Sequence, residues 1–134
     1  MEVLLAVLAA STAVGLLYRR YDGRVRVHDD ATDRAGVLAA LGEEPGARAT
    51  LLQFSSAFCA PCRATRRVLA GVAEELDGVR HVEVDAESNL ALVRELGVLR
   101  TPTTLVLDAR GRESFRASGQ PTRAAVLQAL GSPA

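Results

Sequence analysis

The chain contains no lysine, so all 16 of its basic side chains are arginines, and 16 acidic residues cancel them to a formal net charge of zero. The arginines are scattered, and a neutral chain without a basic stripe is not built to bind nucleic acid; coding bias is the simpler reason for the missing lysine. Cysteine is nearly absent as well, at two residues, Cys59 and Cys62. Two cysteines cannot make a stapled secreted scaffold, and a bridge across two intervening residues removes little chain entropy, which argues against a purely structural disulfide. No internal repeat or low-complexity tract interrupts the sequence, which speaks for an ordinary globular architecture. With 134 residues, 49% of them apolar, the chain forms one domain large enough to bury a proper core.

A second kind of absence marks the first segment. From Val3 to Tyr18, VLLAVLAASTAVGLLY carries no charge, and it ends against Arg19 and Arg20, with Arg24 and Arg26 close behind. Sixteen helical residues reach roughly 24 Å, short of a ~30 Å hydrocarbon core, and Tyr18 with snorkelling arginines extends the span. The expectation is a membrane helix over residues 1–19. A cleaved signal peptide is the rival, but Met1 and Glu2 supply no basic residue before the apolar run, and the small residues Ala9, Ala10 and Ser11 fall inside it. The run is apolar on every face except at Ser11, Thr12 and Gly15, unlike an amphipathic packed helix. Arginines on the carboxyl side only favour a cytoplasmic domain by the positive-inside rule, with an extracytoplasmic domain as the alternative.

Residues 20–30 read as a polar linker containing a candidate first strand, Val25 to Val27, and residues 31–134 as the folded domain, whose start near Arg24 is the alternative boundary. Thr32 to Leu41 has helical spacing and stops at Gly42; TLLQF, Thr50 to Phe54, reads as a buried strand. Cys62 to Leu76 reads as a long helix with Val68, Leu69, Val72, Ala73 and Leu76 on one face. HVEVD, His81 to Asp85, alternates as a strand, and Asn89 to Leu96 follows as a short helix. Thr103 to Leu107 and Glu113 to Ser118 form a hairpin around Asp108 to Gly111, and Thr122 caps a last helix, Arg123 to Leu130. The order βαβαβαββα implies an α/β sandwich with a mixed central sheet flanked by helices. Phe54, Val84, Leu105 and Phe115 are the expected core.

That order puts both cysteines where a strand passes directly into a helix. A structural zinc site needs four ligands, and the remaining candidates, His28 and His81, lie in separate elements, so no metal is expected. A redox pair fits better. At a helix N-terminus Cys59 meets unsatisfied N–H groups and the positive end of the helix dipole, which favour thiolate. Cys62, one turn further, is placed to resolve a mixed disulfide formed by Cys59, and Pro61 suits a first helical turn.

At FCAPC after a buried strand, VEVDAE in the middle strand, GVLRTPTTLVL, DARGRE at the hairpin, and Gly119 before the last helix, the chain resembles the thioredoxin family from about Val25 to Leu130. The resemblance implies a thioredoxin-like fold and protein-disulfide reduction by Cys59 attack and Cys62 resolution, with the cysteine pair as the only redox group and no separate cofactor. It implies a cis peptide before Pro102, exposing the Thr101 backbone to a substrate strand. It also implies a shallow apolar groove bounded by Phe58, Ala60, Pro61, Thr101, Pro102 and Gly119. The partners it implies are disulfide-containing proteins and an upstream reductase such as a thioredoxin reductase; the membrane would be met through residues 3–18. An extracytoplasmic reductase of the cytochrome-biogenesis type and a non-catalytic binding module are the alternatives. The chain departs from the family pattern at Phe58, where tryptophan is usual, at Ala60, where glycine is usual, and at Gln53, where the family places a buried acid. Glutamine cannot take a proton as a carboxylate does, and His81 is the candidate substitute in a proton relay.

Overall fold

The computed structural model describes residues 1–27 and 33–131. The expected helix start at Thr32 and the ligand candidate His28 lie outside the described residues. The chain opens with helix α1, Glu2–Tyr21, whose 20 residues reach about 30 Å. None of its side chains is buried. Its two aliphatic hydroxyls are satisfied within the helix, Ser11 donating to the Val7 carbonyl and Thr12 to that of Leu8, each at 2.8 Å. Such back-bonding spares the Ser11 and Thr12 hydroxyls the need for water.

After three connecting residues the chain enters β1, Val25–Val27, followed by α2, Ala35–Ala40, and β2, Ala49–Ser55. Next come α3, Ala60–Glu75, β3, Val79–Asp85, α4, Leu90–Glu95, the hairpin β4, Thr103–Asp108, with β5, Glu113–Ser118, and finally α5, Arg123–Ala129. The five strands form one mixed sheet in the order β1-β5-β4-β2-β3, with β2 and β3 parallel and the other pairs antiparallel. Two differences from the periodicity have local causes. Helix α3 starts at Ala60 rather than Cys62, because the Cys59 sulfur caps it and Pro61 occupies its first turn. Helix α1 runs past Tyr18 to Tyr21, because backbone helicity does not stop where apolar character does.

Alternation along the strands divides the core between two faces. On one face Leu52 and Phe54 of β2, Val82 and Val84 of β3, and Leu105 and Leu107 of β4 pack under α2 and the segment around Leu96 and Val98. On the other, Leu51, Val79 and Val106 meet Leu69 and Val72 of α3 and Val126 and Leu127 of α5. Phe54, Val84 and Leu105 are buried as expected, and Phe115 packs partly buried at the margin of the second cluster. Each large apolar side chain taken fully out of water contributes about 2 kcal/mol. One charged group lies within this framework. The fully buried Glu113 carboxylate accepts from Arg34 Nε at 3.2 Å and Arg116 Nε at 2.7 Å, fastening the start of β5 to the residue before α2.

Candidate active site

The central strand β2 delivers the chain to the sheet edge at Ser55, and α3 begins five residues later, so Cys59 and Cys62 sit over the carboxyl end of β2. They form a disulfide with Cα atoms 5.2 Å apart. Cys59 is the N-cap of α3, and its Sγ accepts the backbone N–H of Cys62 at 3.1 Å. A sulfur so placed faces the N–H groups that lack helical partners, and these stabilise negative charge on it after reduction. Exposure distinguishes the two sulfurs: Cys59 is part-exposed, whereas Cys62 is buried, at 1%. Ala60 and Pro61 lie exposed between them, and Phe58 projects fully into solvent.

Antiparallel pairing of β2 with β4 sets Phe54 opposite Thr103, so the loop before β4 ends beside the cysteine loop. The Thr101–Pro102 peptide is cis. Ser56 and Thr101 hydroxyls are hydrogen bonded at 3.0 Å, tying the two loops together. Thr103 lies opposite Ser118, which brings Gly119 to the same edge, and the Gly119 N–H donates to the Pro102 carbonyl at 2.7 Å. Phe58, Cys59, Ala60, Pro61, Thr101, Pro102 and Gly119 thus share one end of the sheet. A shallow cavity of about 270 Å³ runs beside Ser56 and Thr101 toward Leu90, Val93 and Leu99.

Gln53 lies completely buried beneath this edge. Its Nε2 donates to the Cys62 carbonyl and to Ser55 Oγ, both at 2.9 Å, and its Oε1 meets His81 Nε2 at 2.9 Å. A backbone carbonyl can only accept, so Nε2 must point at Cys62 and Oε1 at the histidine. His81 Nε2 therefore carries a proton. Burial lowers the His81 pKa, outweighing the pull of Glu83, while Arg66 lowers it further. Glu83 in turn is held below the usual carboxylate range, chiefly by its paired hydrogen bonds from Arg66 and also by the Ser55 hydroxyl. Sequence reasoning named Gln53 and His81 and missed Ser55, Arg66 and Glu83. The alternation His81, Glu83, Asp85 gives their shared strand face, but the partner helix position, Arg66, is fixed only by how α3 lies over the sheet. Beside Ser55 to Ala57 a second cleft of about 340 Å³ exposes Arg66, Glu83 and Asp85 to water.

Among the described residues no group of three or more His, Cys, Asp or Glu side chains could hold a metal ion. A disulfide of Cys-x-x-Cys spacing at a helix N-cap, one sulfur exposed and the other buried, on a mixed α/β sheet, defines a thiol–disulfide oxidoreductase. The thioredoxin family model matches residues 43–132, and the chain belongs to the thioredoxin family. That family works through its cysteine pair without an external cofactor. Among solved structures, a chloroplastic thioredoxin z is similar at 24% identity, with 75% of this chain and 88% of that one covered and a TM-score of 0.60. Thioredoxin from Trypanosoma brucei brucei gives 22% identity, coverages of 79% and 88% and a TM-score of 0.58. Oxidised mitochondrial thioredoxin 3 from Saccharomyces cerevisiae gives 18% identity, coverages of 72% and 87% and a TM-score of 0.59. These likenesses show the fold. No curated protein matches the chain.

Proposed function

We propose that the protein is a membrane-tethered reductase of protein disulfides, in which Cys59 attacks and Cys62 resolves. The observation that carries this reading is the capped, part-exposed Cys59 sulfur beside a buried Cys62. A cycle starts when an upstream dithiol reductase, of the thioredoxin-reductase kind, passes two electrons to the Cys59–Cys62 bond, and two protons are taken up. The Cys59 thiolate then attacks one sulfur of a substrate disulfide. The substrate S–S bond breaks, its second sulfur leaves as thiolate and takes a proton, and a mixed disulfide with Cys59 forms. Cys62 loses its proton and attacks Cys59 Sγ, expelling the remaining substrate sulfur, which is also protonated. The substrate has gained two electrons and two protons, and the cysteine bridge is restored.

The substrate strand would lie along Phe58, Ala60, Pro61, Thr101, Pro102 and Gly119, pairing with the Thr101 backbone. Gln53 cannot accept the Cys62 proton, and its amide groups are already engaged with Cys62, Ser55 and His81. Its role is to hold the Cys62 carbonyl; the proton goes to water, and His81, neutral with Nε2–H turned to Gln53, tunes the site rather than relaying the proton. The apolar helix α1 supports a membrane anchor, and Arg19 and Arg20 in its last turn with Arg24 just beyond it support a cytoplasmic domain.

The test is turnover of a fluorogenic disulfide peptide by the full chain in detergent with dithiothreitol as donor. Cys59→Ser is expected to abolish turnover, and Cys62→Ser to accumulate a mixed disulfide on Cys59 that dithiothreitol releases. Turnover undiminished in both variants would overturn the reading.

A further inference from the structure

The sheet register fixes which end of the domain meets the anchor. Strand β1 runs antiparallel to β5 with Val25 opposite Ala117, so β1 begins at the end of the sheet where β5 finishes. That is the edge where Thr103 faces Ser118 and Phe54, and where the cysteine loop leaves β2. Helix α1 therefore enters the domain at the redox edge.

The junction is also stiff. Only Asp22, Gly23 and Arg24 separate the helix end at Tyr21 from the strand start at Val25, so the two lie at most about 14 Å apart. Arg24 folds back onto the helix, its Nε donating to the Arg20 carbonyl at 2.7 Å and its guanidinium lying 4.4 Å over the Tyr21 ring. On the other side the Gly23 N–H donates to the Ser118 carbonyl at 2.9 Å. The Asp22 carboxylate accepts from Arg100, adjacent to Thr101, at 2.7 Å. Two glycines make this approach geometrically feasible. A Cβ on Gly23, at φ +67°, would stand 1.8 Å from the Gln120 carbonyl oxygen, and one on Gly119 would stand 2.1 Å from Asp22 Oδ1. Thus the exit of the anchor rests on the loop before β4 and the loop after β5, at the edge of the sheet where the cysteine loop leaves β2. On the same edge Phe58 and Leu99 hold large apolar side chains almost wholly in solvent. The hairpin turn at Ala109 lies at the opposite end of β4, some six strand residues or about 20 Å away.

We propose that the anchor turns the Cys59–Cys62 disulfide toward the bilayer, and that its exchange partner is a disulfide on a juxtamembrane segment of a membrane protein. The proposal rests on the reading of α1 as an anchor and of the cysteines as an oxidoreductase pair. The exchange is the two-electron transfer already written, with the reduced cysteine pair as electron source. An exposed apolar rim beside a fixed helix exit suits a partner presented at headgroup level and disfavours one diffusing in free solution, because tethering both raises their effective concentration.

The test uses the full chain reconstituted in phosphatidylcholine vesicles and separated by flotation. In a Cys59→Ser, Cys62→Ser background a fluorophore is placed by Phe58→Cys or Ala109→Cys, and quenching by nitroxide-headgroup lipid is read. In the unaltered chain, turnover is compared for a soluble disulfide peptide, a lipid-linked peptide with its disulfide at the headgroup, and one raised on about 20 prolines, roughly 60 Å. The expected result is strong quenching at position 58 and weak quenching at 109, with the near probe reduced at least about five-fold faster than the raised one. A flexible Gly/Ser insert of about 24 residues between Tyr21 and Asp22, with an r.m.s. reach of about 27 Å, is expected to shrink both differences while leaving soluble turnover unchanged. Equal or reversed quenching, or a raised probe reduced as fast as the near one, overturns the proposal alone. Failure to float overturns the anchor reading and the proposal with it, and floating chain inactive on all three probes overturns the oxidoreductase reading and the proposed partner.

Discussion

Gln53 replaces a charge with a set of hydrogen bonds, and the consequences are measurable at that one residue. Gln53→Leu keeps the volume but takes one partner each from the Cys62 carbonyl and Ser55 Oγ and strands the His81 N–H. Loss of about 1–3 kcal/mol of stability is expected in urea unfolding of the oxidised chain. Gln53→Asp places a buried acid there, and the rate of exchange is expected to gain a titration step that the unaltered chain lacks, visible in its pH–rate profile. His81 gives a second prediction. Its folded pKa lies below the ordinary value of 6.5. As pH falls from 7 through 6.5 the unfolded chain takes up a proton that the folded chain refuses, so stability falls until the folded pKa is passed. His81→Gln is expected to flatten unfolding midpoints between pH 7 and 5. The pair Glu83–Arg66 acts in a lower window, below the ordinary carboxylate value of 4.5, because its stabilisation is lost only as Glu83 protonates. Cys59, Cys62 and Gln53 were legible in the sequence because each is a residue type at a fixed offset in a motif. Arg66 and Glu83 were not, because their pairing depends on the angle of a helix over a sheet, which no local pattern encodes.

At the level of elements, periodicity recovered the order of strands and helices, since each element carries a buried face with its own repeat. Neighbours in the sheet were less legible. Alternation says that Val25 and Val27 belong to a strand, but not that the strand lies beside β5 rather than β3. That placement is what joins helix α1 to the redox edge. Helix ends shifted for chemical reasons: at α3 a sulfur cap adds the turn containing Ala60 and Pro61. Glu113 shows what holds an element in place. It is fully buried between Arg34 and Arg116, and Glu113→Gln weakens two charged contacts while leaving both arginines. A loss of about 3 kcal/mol is expected in urea unfolding, with the β1–β5–β4 edge losing amide-exchange protection first.

For the whole molecule, a redox domain fastened to a long apolar helix unites two properties that the sequence displays separately. The family match over residues 43–132 and the fold account for the chemistry, while in the proposed reading the helix sets where that chemistry is delivered. Tethering changes encounter rather than mechanism, so removing α1 would leave exchange with soluble substrates intact and reduce it for membrane-bound ones. Everything depends on the cysteine pair cycling. The most direct measurement is the redox equilibrium of the full chain in detergent against glutathione and dithiothreitol buffers, with the Cys59–Cys62 state read by thiol alkylation. The account predicts a single two-electron transition at a strongly reducing potential, near the ~−270 mV of thioredoxin. A chain whose two thiols remain separately alkylated at every oxidising poise, never forming the intramolecular bridge, would contradict it.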